Sequence, residues 1–130
     1  MAFLSWHERF SVGHAELDQQ HRRLFELVNH FDDVIQMGMP EELPHIVDDL
    51  IRLSEAHFRF EMGLILDTGF PRVVEHGKMH EELLDQVRVM RRSMMVGGHV
   101  SPKAVVRFLA DWLTSHILRE DMEYKPFLTA

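Results

Sequence analysis

Two pairs of potential metal ligands at helical spacing restrict what this chain can fold into. His57 and Glu61 are separated by three residues, and so are His76 and His80. A four-residue step along an α-helix turns about 400°, so both side chains of each pair point the same way. One such pair is weak evidence by itself. Two pairs on successive segments predict a metal site inside a helical bundle.

Two further stretches add a lone histidine before these pairs and a His/Asp pair after them. His21 lies on the apolar stripe of the first predicted helix. His116 and Asp121 are five positions apart, and on a regular helix this leaves them about 140° from each other. Both reach one site only if the last turn widens, so we predict a π-type distortion near residues 117–121. Taken alone, an exposed Asp121 is the simpler interpretation.

The composition excludes several classes of site and partner. The chain has no cysteine, so disulfides, thiolate zinc sites and ordinary iron–sulfur clusters are excluded. Its net charge is -7 and its basic residues are scattered, which argues against nucleic acid as a partner. No apolar run of about 18 residues predicts a membrane span, and no signal peptide is visible. We therefore expect a cytoplasmic protein.

The apolar periodicity predicts an all-α fold with one domain over residues 1–130. The predicted elements are an arm at about 1–16 and helices at about 17–37, 41–66, 72–95 and 102–120. Gly38 should end the first helix, and Gly97-Gly98 should end the third. Ser101 and Pro102 should begin the fourth helix as N-cap and first residue, and Pro126 should limit its end.

The ten histidines divide into two groups. Those expected at surface, cap or loop positions, without a metal role, are His7, His14, His30, His45 and His99. The other five lie on apolar stripes. An isolated histidine on such a stripe is more often a hydrogen-bonded core residue than a ligand. Burying five imidazoles and two carboxylates together without a metal would be costly, however, which favours the metal site.

A set of motifs runs in order along essentially the whole chain. It comprises Trp6, Ser11-Val12-Gly13, Leu17-Asp18-Gln19-Gln20-His21, His57-Phe58-x2-Glu61, His76-x3-His80 and Trp112-Leu113-x2-His116-Ile117-x3-Asp121-x2-Tyr124. This set resembles the hemerythrin family, in particular its single-domain bacterial members. The resemblance implies an up-down-up-down antiparallel four-helix bundle with an N-terminal arm.

The resemblance also implies a cofactor, a non-haem di-iron centre of two Fe ions with an oxygen bridge. Its ligands would be His76, His80 and His116 on one iron, His21 and His57 on the other, and Glu61 and Asp121 bridging both. The iron with two histidines would keep an open position for dioxygen. Zinc or manganese could occupy the same ligands, so the identity of the metal rests on the resemblance.

Apolar residues that match the oxygen pocket of relatives should surround this position. They are Leu24, Phe58, Trp112, Leu113 and Ile117. The plain alternative is that they are core residues, and both interpretations can hold together. Tyr124 could hydrogen-bond near the site or only pack against it. Met62 stands where many relatives have a second acid, and we expect it to face away from the metals.

The sequence therefore predicts a protein that binds dioxygen reversibly for storage, delivery or protection, with an oxygen-consuming enzyme as a possible partner. One alternative is a di-iron enzyme, such as a ferroxidase, a peroxidase or a nitric oxide-handling protein. Another is an oxygen or iron sensor module that acts through a partner. We favour a carrier over an enzyme because no second acidic cluster points inward.

Overall fold

A computed structural model describes residues 3–95 and 101–128, and within these ranges every regular element is helical. The long helices are α1 (Ala15–Met37), α2 (Leu43–Leu66), α3 (Val73–Met95) and α4 (Pro102–His116), followed by a π-helical turn at Ile117–Asp121 and a short α5 (Met122–Leu128). α1 packs on α2 and α4, and α3 packs on α2 and α4. Short connections make neighbouring helices antiparallel. The predicted all-α four-helix bundle is confirmed.

Local sequence signals explain where the helices begin and end. Nδ1 of His14 accepts a hydrogen bond from the Leu17 backbone N–H, so α1 begins at Ala15. Gly38 ends it in the left-handed region at φ 70°, where glycine carries no steric penalty. Ser101 Oγ accepts from the Ala104 N–H, and Pro102 follows at the first position of α4. The predicted helix end at Gly38 and the predicted helix start at Ser101 and Pro102 are confirmed.

Some boundaries differ from the sequence-based expectation. Pro40–Glu42 forms a 3-10 turn, so α2 begins at Leu43 rather than at about residue 41. The fourth helical path does not stop before Pro126 but continues through α5 to Leu128. Proline removes one N–H donor there, and burial of Tyr124 holds the segment against the bundle. The predicted Gly97-Gly98 helix end lies outside the described residues.

The N-terminal arm is fastened to α1 by hydrogen bonds. Asp18 accepts from Ser11 Oγ at 2.6 Å and from the Val12 N–H at 2.9 Å. The side-chain amide of Asn29 pairs with both backbone groups of Leu4. The arm therefore closes one side of α1 and buries Val12 in the core.

The core consists of two apolar clusters with a polar layer between them. Along α1, His21 lies between Leu17 of the smaller cluster and Leu24 of the larger cluster. Along α2, Glu61 lies between Ile65 of the smaller cluster and Phe58 of the larger one. The polar layer is therefore enclosed above and below. None of the described helices is long and apolar enough to cross a membrane.

Candidate metal centre

All seven predicted ligands lie in the polar layer, and all are buried. They are His21, His57, Glu61, His76, His80, His116 and Asp121. Six of them form two four-residue groups whose ligand atoms lie within 4.8 Å of one another. The first group holds His21 and His57, and the second holds His76 and His80. Both groups share Glu61 and Asp121, as two adjacent metals with two bridging carboxylates would require.

Glu61 joins the ligands of α2 and α3. Its Oε1 accepts a hydrogen bond from His76 Nε2 at 2.7 Å and lies 2.8 Å from His80 Nε2. Its Oε2 lies 3.3 Å from His57 Nε2, one helical turn earlier on α2. The two carboxylate oxygens thus face opposite groups of histidines, which suits a bridging role.

Asp121 reaches the same layer because the helix widens before it. The π-helical turn spans Ile117–Asp121, so the predicted distortion is confirmed. It brings Asp121 Oδ2 to 3.3 Å from His21 Nε2 and Oδ1 to 3.2 Å from His76 Nε2. A regular helix would turn this carboxylate away from His116. The exposed position considered for Asp121 is therefore wrong, since the residue is fully buried.

His116 belongs to the layer but to neither four-residue group. Its Nε2 lies 3.6 Å from Asp121 Oδ2. Its Nδ1–H donates to the Trp112 carbonyl at 3.1 Å, one turn earlier on α4. This hydrogen bond fixes the imidazole so that Nε2 points toward the site, the usual arrangement for a metal-ligating histidine.

Two residues outside the seven orient the ligands. Gln20 accepts a 2.6 Å hydrogen bond from His57 Nδ1 through its amide oxygen. Sequence reasoning missed this role, although Gln20 directly precedes His21 in a motif used for the resemblance. Tyr124 donates a 2.7 Å hydrogen bond to Glu61 Oε2, so the hydrogen-bonding role considered for it is confirmed.

The electrostatics of the layer keep both carboxylates ionised. Burial raises the pKa of Glu61, but contacts from His57, His76 and His80 outweigh it and hold that pKa well below its usual range. Burial and the Glu61 charge raise the pKa of Asp121, yet the surrounding histidines lower it overall. Two buried anions therefore face each other, which demands compensating positive charge.

Two histidines of the layer differ in whether they supply this positive charge. Burial lowers the pKa of His76, but Asp121 and Glu61 raise it to about 9, so without metal its imidazolium is a counter-ion. Burial lowers the pKa of His116 to about 4, so this imidazole is neutral. A neutral imidazole is the form that binds a metal ion.

Unsatisfied atoms provide a test of whether these residues fit a metal. Among the described residues, the buried side-chain atoms without a hydrogen-bond partner include Nε2 of His21, His57, His80 and His116 and both oxygens of Asp121. Leaving a buried donor or acceptor unpaired costs about 1–3 kcal/mol each. Because these atoms all face one layer, metal coordination would satisfy them together, and imidazole with carboxylate suits iron.

The five predicted pocket residues are also buried. Leu24, Phe58, Trp112, Leu113 and Ile117 all belong to the larger apolar cluster. Phe58 stacks on the His80 ring with centroids 3.8 Å apart and an angle of 9°. Trp112 Nε1–H donates to the Leu83 carbonyl at 3.0 Å, so its polar edge points away from the layer.

Met62 lies at the α2–α3 contact beside the site. A Cβ added to Gly77 would meet its terminal methyl at 3.3 Å. Gly77 therefore sits close to a flexible side chain and not to the backbone of α2. The Nδ1 of nearby His80 is buried without a partner, and Met62 has no acidic group to offer it.

Three surface clefts reach the outer edges of site histidines. One of about 610 Å³ between α2 and α3 reaches His80 and Phe58. One of about 290 Å³ between α3 and α4 reaches His116. A third of about 220 Å³ reaches His76 beside Glu75 and Glu120. All three clefts are lined in part by α3, so the outer edges of these histidines come close to the surface on that side of the bundle.

Comparison with known proteins agrees with this geometry. Residues 12–128 match the family described as Hemerythrin HHE cation binding domain. A bacteriohemerythrin of Stenotrophomonas maltophilia is 31% identical over 125 residues, which is 95% of this chain and 80% of that protein. A bacteriohemerythrin of Methylococcus capsulatus is 28% identical over all of both chains. A crystal structure of wild-type hemerythrin superposes with a TM-score of 0.86 at 27% identity, covering 99% of this chain and 100% of that one.

Proposed function

The chain belongs to the hemerythrin family, and from that premise we propose that it is a non-haem di-iron protein that binds dioxygen reversibly. We assign His76, His80 and His116 to one iron and His21 and His57 to the other. Glu61 and Asp121 would bridge the two. The physiological role would be to store dioxygen, to deliver it to an oxygen-consuming enzyme or to protect against it.

One observation carries the proposal, namely the two ligand groups that share both carboxylates. A mononuclear site would need only one such group. With both carboxylates shared, the five imidazoles would divide unevenly, three on one iron and two on the other. When bound, the di-iron centre supplies the electrons that dioxygen accepts on binding.

The residues of this chain contribute positioning and the exclusion of water. Gln20 and the Trp112 carbonyl fix the rings of His57 and His116. Tyr124 fixes one oxygen of Glu61. The apolar residues of the larger cluster, Leu24 and Leu113 among them, keep the side of the layer that faces them dry. A dry pocket limits the supply of protons and water to the site, where they would compete with dioxygen.

The ligand set itself favours reversible binding. Imidazole is neutral and carboxylate is anionic, so five imidazoles and two carboxylates stabilise highly oxidised iron less than a carboxylate-rich set does. These ligands would therefore favour reversible binding of dioxygen over cleavage of its O–O bond. This supports a carrier over an oxidising enzyme with a similar bundle.

The test combines metal content with a spectrum. Purified protein should hold about two irons per chain. Ferrous protein exposed to air should develop a ligand-to-iron charge-transfer band that disappears on deoxygenation and returns on re-exposure. Immediate conversion to diferric protein without that band would refute reversible carriage, and steady turnover of ferrous iron or peroxide would favour an enzyme.

A pair of variants on the same helix controls the test. His57→Ala removes an assigned ligand and should abolish the band with a loss of iron. His45→Ala removes an exposed histidine earlier on α2 and should leave iron content and spectrum unchanged. Equal behaviour of the two variants would contradict the assignment of His57.

A further inference from the structure

Three hydroxyl side chains within the helices can be compared, and the buried one behaves differently. Ser93 Oγ donates to the Val89 carbonyl four residues earlier at 3.1 Å, and Thr114 Oγ1 donates to the Ala110 carbonyl at 2.8 Å. Serine and threonine often make this bond in helix interiors. Ser54 is fully buried on α2, yet its Oγ has no hydrogen-bond partner.

The position of Ser54 on α2 directs it into the bundle. Helical geometry places it about 20° around the axis from Glu61, and about 60° from His57, on the same inward face. It lies one turn before His57 along the helix. Side chains on a helix lean toward its N-terminus, so the ligands of α2 lean toward Ser54.

At the same level of the bundle, α1 and α4 contribute apolar residues. Leu24 lies one turn beyond His21 on α1, and Leu113 lies one turn before His116 on α4. α2 and α4 run antiparallel to α1. Leu24, Leu113 and Ser54 therefore all lie on the same side of the polar layer, one helical turn from a ligand. Both leucines are buried in the larger cluster. Ser54 therefore carries a polar group into the wall that the proposed function assigns to the dioxygen pocket.

An unpaired hydroxyl in such a wall is costly unless something outside the protein pairs with it. Water is a poor candidate, since a buried water needs two to four polar partners, and Leu24, Leu113 and Phe58 of the larger cluster have no polar side-chain atoms. We propose that Ser54 is the hydrogen-bond donor of the ligand pocket and acts on a small ligand with a lone-pair-bearing terminal atom, such as dioxygen or a small inorganic anion. This inference rests on the proposed function, because it places the ligand at the open position.

Metal-free protein gives the first test, which does not depend on iron. Ser54→Ala removes an unpaired hydroxyl, so the urea midpoint should rise above that of wild type. Ser93→Ala removes a hydroxyl that has a partner, and its midpoint should not rise as far. A midpoint for Ser54→Ala that stays equal or falls would mean that the hydroxyl already has a partner inside the protein, and it would overturn the inference.

Iron-loaded protein gives the second test, with sodium azide as the probe. The dissociation constant for azide should rise about tenfold in Ser54→Ala, as expected for the loss of one hydrogen bond to a charged ligand. Ser93→Ala should bind azide as wild type does. Ser54→Thr keeps a donor and should stay within about threefold of wild type. Unchanged affinity in Ser54→Ala would overturn the inference alone, whereas wild type that binds neither iron nor azide would overturn the proposed function.

Discussion

α2 and α3 each bring two candidate ligands to the centre, but they are held in place by different means. Nine of the 24 residues of α2 are buried, most of them apolar. Only three of the 23 residues of α3 are buried, and two of these are His76 and His80. α2 is therefore anchored by fully buried core residues, whereas most of the fully buried residues of α3 belong to the site, and its apolar residues apart from Val87 are only half-buried.

Beyond Val87 and a row of half-buried apolar residues that pack on the larger cluster, α3 is attached to α2 by ion pairs at the surface. Arg91 makes two hydrogen bonds to Asp48 of α2, at 2.8 and 3.1 Å, and Arg88 pairs with Glu55 at 3.1 Å. Exposed ion pairs contribute little free energy. By ligand spacing alone, α2 and α3 look equivalent. Their burial distinguishes them, because α2 is held by the core whereas the position of α3 depends more on what the site binds.

Removing the metal should have the largest effect, and it should separate the two helices. A tightly bound metal stabilises the folded state by about 4 kcal/mol or more, so chelation should lower the urea midpoint strongly. Amide hydrogen exchange should then accelerate most in α3 and least around Leu50 of α2. Uniform acceleration across both helices would contradict the comparison.

Truncating an apolar side chain should cost more in α2 than in α3. Leu50→Ala removes a buried core residue and should lower the free energy of unfolding by about 2–5 kcal/mol. Leu84→Ala removes a half-buried residue of α3 and should cost clearly less. Urea unfolding of both variants, with and without metal, provides the measurement, and equal costs would argue against a scaffold role for α2.

Tyr124→Phe tests how firmly the bridging carboxylate of α2 is held. The change removes the hydrogen bond to Glu61 Oε2 and keeps the ring buried. It should cost about 1.5–3 kcal/mol, the range for hydrogen bonds to charged groups, with weaker retention of iron in a chelator competition. Phe127→Leu alters an exposed aromatic residue on the same short helix and serves as the control. A Tyr124→Phe protein with wild-type stability and iron retention would remove Tyr124 from the site.

The smallest effect should come from breaking the surface ion pair between Arg91 of α3 and Asp48 of α2. Arg91→Gln should cost about 0.2–1 kcal/mol. The hydrogen bonds from Arg91 hold the pKa of Asp48 below its ordinary value. A carboxylate with a lowered pKa in the folded state stabilises the fold above its unfolded pKa, and loses that contribution as the pH falls through its folded pKa.

The stability difference between wild type and Arg91→Gln should therefore be present at pH 7 and shrink below about pH 4. Urea midpoints of metal-free protein measured across this pH range would show it. A difference that persists unchanged in acid would mean that Arg91 acts through packing rather than through its charge.

Much of the fold was accessible from the sequence because it depends on local rules. The 3.6-residue period of apolar side chains marks the long helices, and the Gly38 and Ser101-Pro102 signals mark ends that the backbone itself requires. The five-residue step from His116 to Asp121 even predicted the π-helical turn, since no regular helix brings both side chains to one site.

Other features depended on partners that sequence spacing does not reveal. Gln20 is adjacent to a ligand in sequence, but its partner is His57, 37 residues away on another helix. Ser54 is an unremarkable helix residue until its burial and missing partner are known. α3 has an apolar stripe like the other helices, yet Leu83, Leu84 and Met90 remain half-buried.

The amino-acid order thus determined which side chains share a helix face, because the geometry of a helix is the same wherever it forms. It was enough to identify the seven candidate ligands and the bundle that gathers them. Only the packing of the helices decided how far each face is covered, which buried polar atoms find partners and which oxygen faces which histidine. Those outcomes are sums over contacts between segments distant in the chain, so no single stretch of residues contains them.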